Sequence, residues 1–482
     1  MPDSKLTSWC DRTTVFSFYA LIYFLPISTA LVEICSTVIL TAFFWKRSVN
    51  FAAALKRHAV TSGPLSWRRG WHLFTESFQP PAHPLRGPIG IFILINFLSV
   101  VVSLYPSLSI KGFIGKLMQS TFLYFSFVET MNTRRKFCIF IGVFFVSTTL
   151  IVCNGLAQFF QGTEFIFGKT LPGDGRVASS FKHPNDLGAY LVMVLPMIFS
   201  FVMARWPFWP QGSGRKKTVL GWKIAARIFI VVLLAMSLSV LGLTYSRGAW
   251  LSFAIGIVFL MGMNRRHAVV PLAAGILFFF IFSPHLAPRR NVSFVSDDLL
   301  REKLDRVEQG DQYAKENRTP PFARRMEIWS SSLRRFTAMG RDNYWREAVH
   351  IIRSSPLLGT GLNTYSRVGP EYKINWGGYP HNCFLQMAAE TGLLGLGSFL
   401  WVFLILFYGA LKSLKTIEPD FARVVIQGGL AGLLGFIVHS FVDTHFYSVQ
   451  LGNLMWLMMA LVTAVQQPMG AMKRVGKEDP GA

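Results

Sequence analysis

The sequence predicts an all-α polytopic membrane protein, and three observations carry that expectation. Apolar residues fill 51% of its 482 positions, with 44 Phe and a mean hydropathy of +0.39, a composition outside that of ordinary soluble domains. These residues gather in runs close to the ~20 residues that a helix needs to cross ~30 Å of hydrocarbon. No strand-like alternation dominates, so helices rather than a closed barrel are expected to satisfy the backbone in lipid.

Taken in order, candidate spans fall near 14–28, 30–45, 89–106, 112–128, 137–156, 187–204, 223–243, 248–264, 267–283, 382–410, 424–442 and 446–466, about twelve in all. Pro26 and the small residues Ser28, Thr29 and Ala30 argue for a tight break between the first two. Lys5 and Arg12 ahead of an apolar run resemble a signal peptide. No persuasive cleavage site follows and the apolar run continues to Trp45, so an uncleaved anchor is expected.

The formal net charge of +23 is carried by short basic clusters between apolar runs, without any nucleic-acid-reading motif, so no nucleic acid partner is expected. The clusters alternate with topology. One side collects Lys46, Arg47, Lys56, Arg57, Arg68, Arg69 and Arg86, then Arg134, Arg135 and Lys136, and later Lys412, Lys415 and Arg423. The short loops opposite hold only Lys111, Lys169, Arg176, Lys182 and Arg247. The positive-inside bias therefore predicts cytoplasmic N- and C-termini. The five cysteines, Cys10, Cys35, Cys138, Cys153 and Cys383, lie in or beside apolar runs without metal-ligand spacing, and predict neither a zinc site nor a disulfide framework.

Four regions follow: about nine N-terminal helices over 1–283, a large outer loop at 284–381, about three helices over 382–466, and a polar tail at 467–482. Within the loop, the pieces 297–309, 322–338 and 341–354 show three- and four-residue apolar spacing and predict short amphipathic helices on the membrane surface.

This topology gathers Arg176, His183, Arg247, Arg341, His381, Asp443 and His445 on the outer face. So many cations require an anionic partner, and a lipid-borne diphosphate is the natural one, because arginine grips phosphate oxygens in bidentate fashion and stays charged. Arg247, in LTYSRGAW at the lip of a span, is the first choice for diphosphate contact; interfacial snorkelling is the plainer alternative. Arg176 is a supporting phosphate ligand, and Arg341 opens a predicted helix where a cation does not suit the dipole. His183 precedes Pro184 and suits a turn, with Asn185 or Asp186 as the expected helix cap.

His381 follows Tyr379-Pro380 and precedes Asn382, a candidate cap for the next helix. A histidine at a membrane surface, in arginine company, has the chemistry of a general base. Glu390, one or two turns deeper, reads as a buried hydrogen bonder.

The pattern PHNCFLQMAAETGLLG at 380–395, preceded by Arg341, Trp345 and PLLGTG at 356–361, resembles the signature of the O-antigen ligase and polymerase superfamily. The likeness runs from about Arg176 to Gly397. It implies a C-type, all-helical glycosyltransferase of the bacterial inner membrane, acting on its periplasmic side. As a ligase it would take undecaprenyl-diphosphate-linked O-antigen as donor and lipid A-core as acceptor, among membrane lipids and without metal, nucleotide or other cofactor. It further implies His381 as proton acceptor, Arg247 and Arg341 on the diphosphate, and inversion at the anomeric carbon. An O-antigen polymerase or a protein O-oligosaccharyltransferase shares the donor and differs in acceptor. A lipid-linked oligosaccharide flippase would share the arginines and need no base.

Overall fold

The computed structural model describes residues 2–62, 65–173, 175–204, 216–263, 341–372, 378–417 and 421–467. The expected span at 267–283, the amphipathic pieces at 297–309 and 322–338, and nearly all of the tail lie outside the described residues. The described chain is helical throughout, apart from short connections and one isolated bridge between Thr163 and Thr170.

The break expected at Pro26 separates α1 (Pro2–Phe24) from α2 (Thr29–Ser62). Helix α2 runs far past the expected end near residue 45, and at 1.5 Å per residue its length is roughly 51 Å. Lys46 and Arg47 do not stop it because both charges are compensated. Lys46 Nζ lies 2.7 Å from Asp11 Oδ1 and 2.8 Å from Glu129 Oε1, and Arg47 pairs with Glu129 Oε2 at 2.5 Å. A short helix α3 (Trp67–Phe78) then leads to α4 (Arg86–Val101). The expected span at 112–128 is built from α5 (Pro106–Gly112), a π-turn over Phe113–Met118 and α6 (Gln119–Thr130), followed by α7 (Arg134–Gln161).

The central rod is α8 (Pro184–Met203), in which every residue from Leu187 to Phe201 is buried. It packs on α9 (Lys216–Leu243), α10 (Arg247–Met263) and, later in the chain, α14 (Phe421–His439). Small residues bring these backbones together, as in other membrane helix pairs. A Cβ at Gly432 would stand 2.2 Å from the Met193 carbonyl oxygen, and one at Gly256 would stand 2.8 Å from that of Ala431. The starts of α8 and α10 and the end of α14 consequently meet in one corner.

The remaining α-helices among the described residues are α11 (Arg341–Ser354), a short α12 (Tyr365–Val368), α13 (Cys383–Ser413) and α15 (Val449–Ala464). The apolar face expected for 341–354 is present: Ala348 and Ile351 are fully buried beside Ala389 of α13. Helix α13 differs from the single span expected at 382–410, because it breaks at Gly392, whose φ of 70° and ψ of 179° are not helical. The segment PLLGTG fits into that break. Leu393 N donates to Pro356 O at 2.7 Å, while Thr360 N and Gly361 N donate to Ala389 O and Glu390 O at 3.0 and 2.9 Å. Backbone groups freed inside a membrane protein must find such partners.

Among the described residues, six helices are long and apolar enough to cross a membrane: α2, α7, α8, α9, α13 and α14. Three shorter apolar helices, α4, α10 and α15, accompany them. The protein is therefore an all-α, polytopic membrane protein.

Candidate active site

His381 sits between the extended Pro380 and the first turn of α13 with a φ of 47°, a left-handed conformation costly for a side chain with a Cβ. Its neighbours impose it. Trp345 Nε1 of α11 donates to Pro380 O at 3.0 Å, and Cys383 N donates to Ser440 O at 2.9 Å. Asn382 caps α13 as expected, its Oδ1 accepting from Phe384 N at 2.9 Å and Leu385 N at 3.0 Å. The imidazole stays 44% exposed, with the Tyr344 ring edge-on at 5.9 Å.

His381 Nδ1 stands 3.3 Å from Asp443 Oδ1, 62 positions further along the chain. The other carboxylate oxygen of Asp443 accepts from Asn185 Nδ2 at 2.8 Å, and Asn185 Oδ1 accepts from Arg176 Nη2 at 2.6 Å. Arg176 Nε in turn donates to Thr244 O at 2.9 Å, in the corner between α9 and α10. A continuous polar chain thus links His381, Asp443, Asn185, Arg176 and the turn that precedes Arg247.

Burial alone would raise the Asp443 carboxyl, but hydrogen bonding to His381, the nearby His445, and donors from Thr444 N and Asn185 outweigh it and hold the group well below the usual carboxylate range. A depressed folded-state value means that the stabilisation is complete above the unfolded carboxyl range, near pH ~3.9, and is lost as pH falls through the lower folded value. Below about pH 4 the wild type should lose stability more steeply than Asp443→Asn, and parallel curves would contradict the hydrogen bonding that holds the carboxylate.

Arg247 opens α10 with an exposed side chain. Gly248 beside it presses against the segment that carries Asp443: a Cβ there would meet Val442 Cγ2 at 2.7 Å and His439 Cδ2 at 3.1 Å. Arg341 opens α11, one turn before Tyr344 and Trp345, and its side chain lies outside the described atoms. The topology thus brings the starts of α8, α10, α11 and α13 to one end of the bundle.

His183 does what was expected of its neighbours. Its Nδ1 caps α8 by accepting from Asn185 N at 3.4 Å, so neither Asn185 nor Asp186 is the cap. Asn185 is thereby free to bridge Arg176 and Asp443. Asp186 meets the buried His445 at 3.5 Å. Glu390 is the buried acceptor expected, taking hydrogen bonds from Asn363 N at 2.9 Å, Tyr365 N at 3.2 Å and Gln386 Nε2 at 3.1 Å. Sequence reasoning placed Asp443 on the same face as His381 but not in contact with it, and it read Asn185 only as a cap.

Residues 231–400 match the O-antigen ligase family. The chain is also similar to the exopolysaccharide production protein ExoQ of Rhizobium meliloti (strain 1021), with 32% identity over 117 residues. That alignment takes in 22% of this chain and about a quarter of the relative, 26% of its length. The matched segment contains Arg247, Arg341, His381 and the break at Gly392, and over that segment the chain is similar to the O-antigen ligase family.

Proposed function

We propose that this chain is a lipid-linked glycan ligase, transferring O-antigen polysaccharide from undecaprenyl diphosphate to a sugar hydroxyl of the lipid A-core, at the periplasmic face of the inner membrane. The observation that carries the reading is the polar chain from His381 through Asp443 and Asn185 to Arg176, beside the helix opened by Arg247. With the proton on His381 Nδ1 held by Asp443, the Nε2 lone pair accepts the proton of the acceptor hydroxyl. The hydroxyl oxygen then forms a bond to the anomeric carbon as the bond to the diphosphate oxygen breaks. The electron pair leaves with the lipid diphosphate, whose charge falls to Arg247 and Arg341, and a single displacement inverts the anomeric configuration. Arg176, bound to Thr244 and Asn185, orders this corner and adds positive potential.

Purified protein in liposomes, given the lipid-diphosphate glycan and lipid A-core, should form the glycosylated lipid with wild-type His381 and not with His381→Ala. Product at the wild-type rate from that variant would remove the base assignment, and transport without product would favour a flippase. Arginines in place of a metal predict that EDTA leaves the rate unchanged. Loss of activity on chelation and recovery on adding Mg²⁺ or Mn²⁺ would reject that account. The likeness to an exopolysaccharide production protein favours a second reading, a polymerase whose acceptor is another carrier-bound glycan. Supplying that acceptor in place of lipid A-core separates the two.

A further inference from the structure

At the opposite end of the bundle from His381 lies α3, whose sequence WRRGWHLFTESF adds Arg68 and Arg69 to the basic side. Its placement follows from its neighbours. Helix α2 starts beside Pro26, whose carbonyl accepts from Ser180 Oγ at 2.6 Å near Arg176, and α4 returns to the same end, where Leu104 N donates to Thr360 O at 3.1 Å. The connection between α2 and α4 is therefore on the far side.

At about 100° per residue, Trp67, Trp71, Phe74 and Phe78 share one face of α3. Their rings form an unbroken stack, with successive centroids 6.3, 5.7 and 4.6 Å apart. Trp67 is 83% exposed and Trp71 57%. Leu73 is the buried residue of this helix, and Phe51 of α2 touches Phe74 and Phe78 edge-on. Arg68, Arg69, His72 and Glu76 occupy the polar face, all exposed, and Lys56 and Arg57 near the end of α2 are exposed as well.

The helix is fixed in this pose. Ser66 caps its start, accepting from Arg69 N at 3.3 Å. Arg47 Nη1 donates to Ser77 O and Gln79 O at 3.0 and 3.2 Å at its end, while Nη2 is held by Glu129. A row of bare aromatic rings is thus held in a fixed pose at the end of the bundle remote from His381.

We propose that α3 is an in-plane interfacial helix that docks on acidic phospholipid headgroups of the leaflet remote from His381. The aromatic face enters the boundary between headgroups and acyl chains, where Trp is favoured. Arg68 and Arg69, with Lys56 and Arg57, meet the phosphates. The charge decides the partner: a protein surface would also cover the rings, but four exposed cations beside one exposed acid, Glu76, complement an anionic lipid surface. This inference stands apart from the reading of His381.

The test uses the full chain in vesicles of phosphatidylcholine with and without phosphatidylglycerol. The fluorescence lost on going from wild type to Trp67→Phe/Trp71→Phe reports the two exposed indoles, and lipids brominated high on the acyl chain should quench it, more strongly when phosphatidylglycerol is present. Native mass spectrometry of detergent-released protein should show retained phosphatidylglycerol falling about fivefold or more in Arg68→Gln/Arg69→Gln and persisting in Arg68→Lys/Arg69→Lys. Indoles that lipids do not quench would overturn the docking and point to a protein partner. Should the Gln variant fail to fold, equal quenching of the wild type in the two lipid mixtures would still reject acidic-lipid recognition.

Discussion

Asp443→Asn is expected to lower the transfer rate about 10²-fold or more while leaving the KM for the lipid-linked donor nearly unchanged. His381→Ala is expected to cost about 10²–10⁴-fold, the range of a positioned general base. The asparagine keeps the shape of the aspartate but has one acceptor oxygen for the two donors, so it holds Asn185 Nδ2 or Thr444 N and not both, and it presents an amide where the imidazole needs a carboxylate. Either imidazole tautomer can then face it, and the lone pair is no longer reserved for the acceptor hydroxyl. The double variant His381→Ala/Asp443→Asn should be no slower than His381→Ala alone, because the aspartate works through the histidine. Multiplying defects would show that Asp443 acts independently. Arg247→Ala gives the contrast, with a raised donor KM as well as a reduced rate.

Gly392→Ala is expected to destabilise the folded protein by about 3 kcal/mol or more, read as a large drop in thermal midpoint or loss of monodisperse protein. Two penalties add. The φ of 70° with ψ of 179° belongs to a region that only glycine occupies freely, and a Cβ there would lie 2.0 Å from the Leu357 carbonyl oxygen. The neighbour is backbone and cannot swing aside. Gly397→Ala in the same helix is the control, since a Cβ there meets nothing within 4 Å, and helix propensity makes it neutral to slightly stabilising. Equal effects from the two substitutions would contradict the broken-helix geometry.

The helical membrane architecture was legible because hydropathy and length are one-dimensional properties. Pro26 marked its own break, and RDNYWREAVHIIRS announced α11. The overextension of α2 was hidden, because Lys46 and Arg47 read as membrane-edge charges until Asp11 and Glu129 are seen beside them. The interruption of α13 was hidden for a similar reason. Gly392 in an apolar run has no local mark of its conformation, which depends on PLLGTG arriving from elsewhere. At the candidate site, residue types could be read, and Arg176, Arg247 and His381, expected on one face, lie at one end of the bundle. The contact of His381 with Asp443 could not, because nothing in the spacing of the end of α14 and the loop after it encodes which acid reaches which base.

The broken α13 has a mechanical consequence. Its first turns, from Asn382 to Thr391, are gripped at both ends by the outer segment: Trp345 holds Pro380 at the start, and Thr360 and Gly361 hold the carbonyls of Ala389 and Glu390 at the finish. The histidine therefore rides on a short lever clamped to the segment 341–361 on one side and, through Ser440 and Asp443, to the end of α14 on the other. A displacement of 341–361 would pull on both ends of this lever, so the position of the imidazole is coupled to that of α11 and PLLGTG.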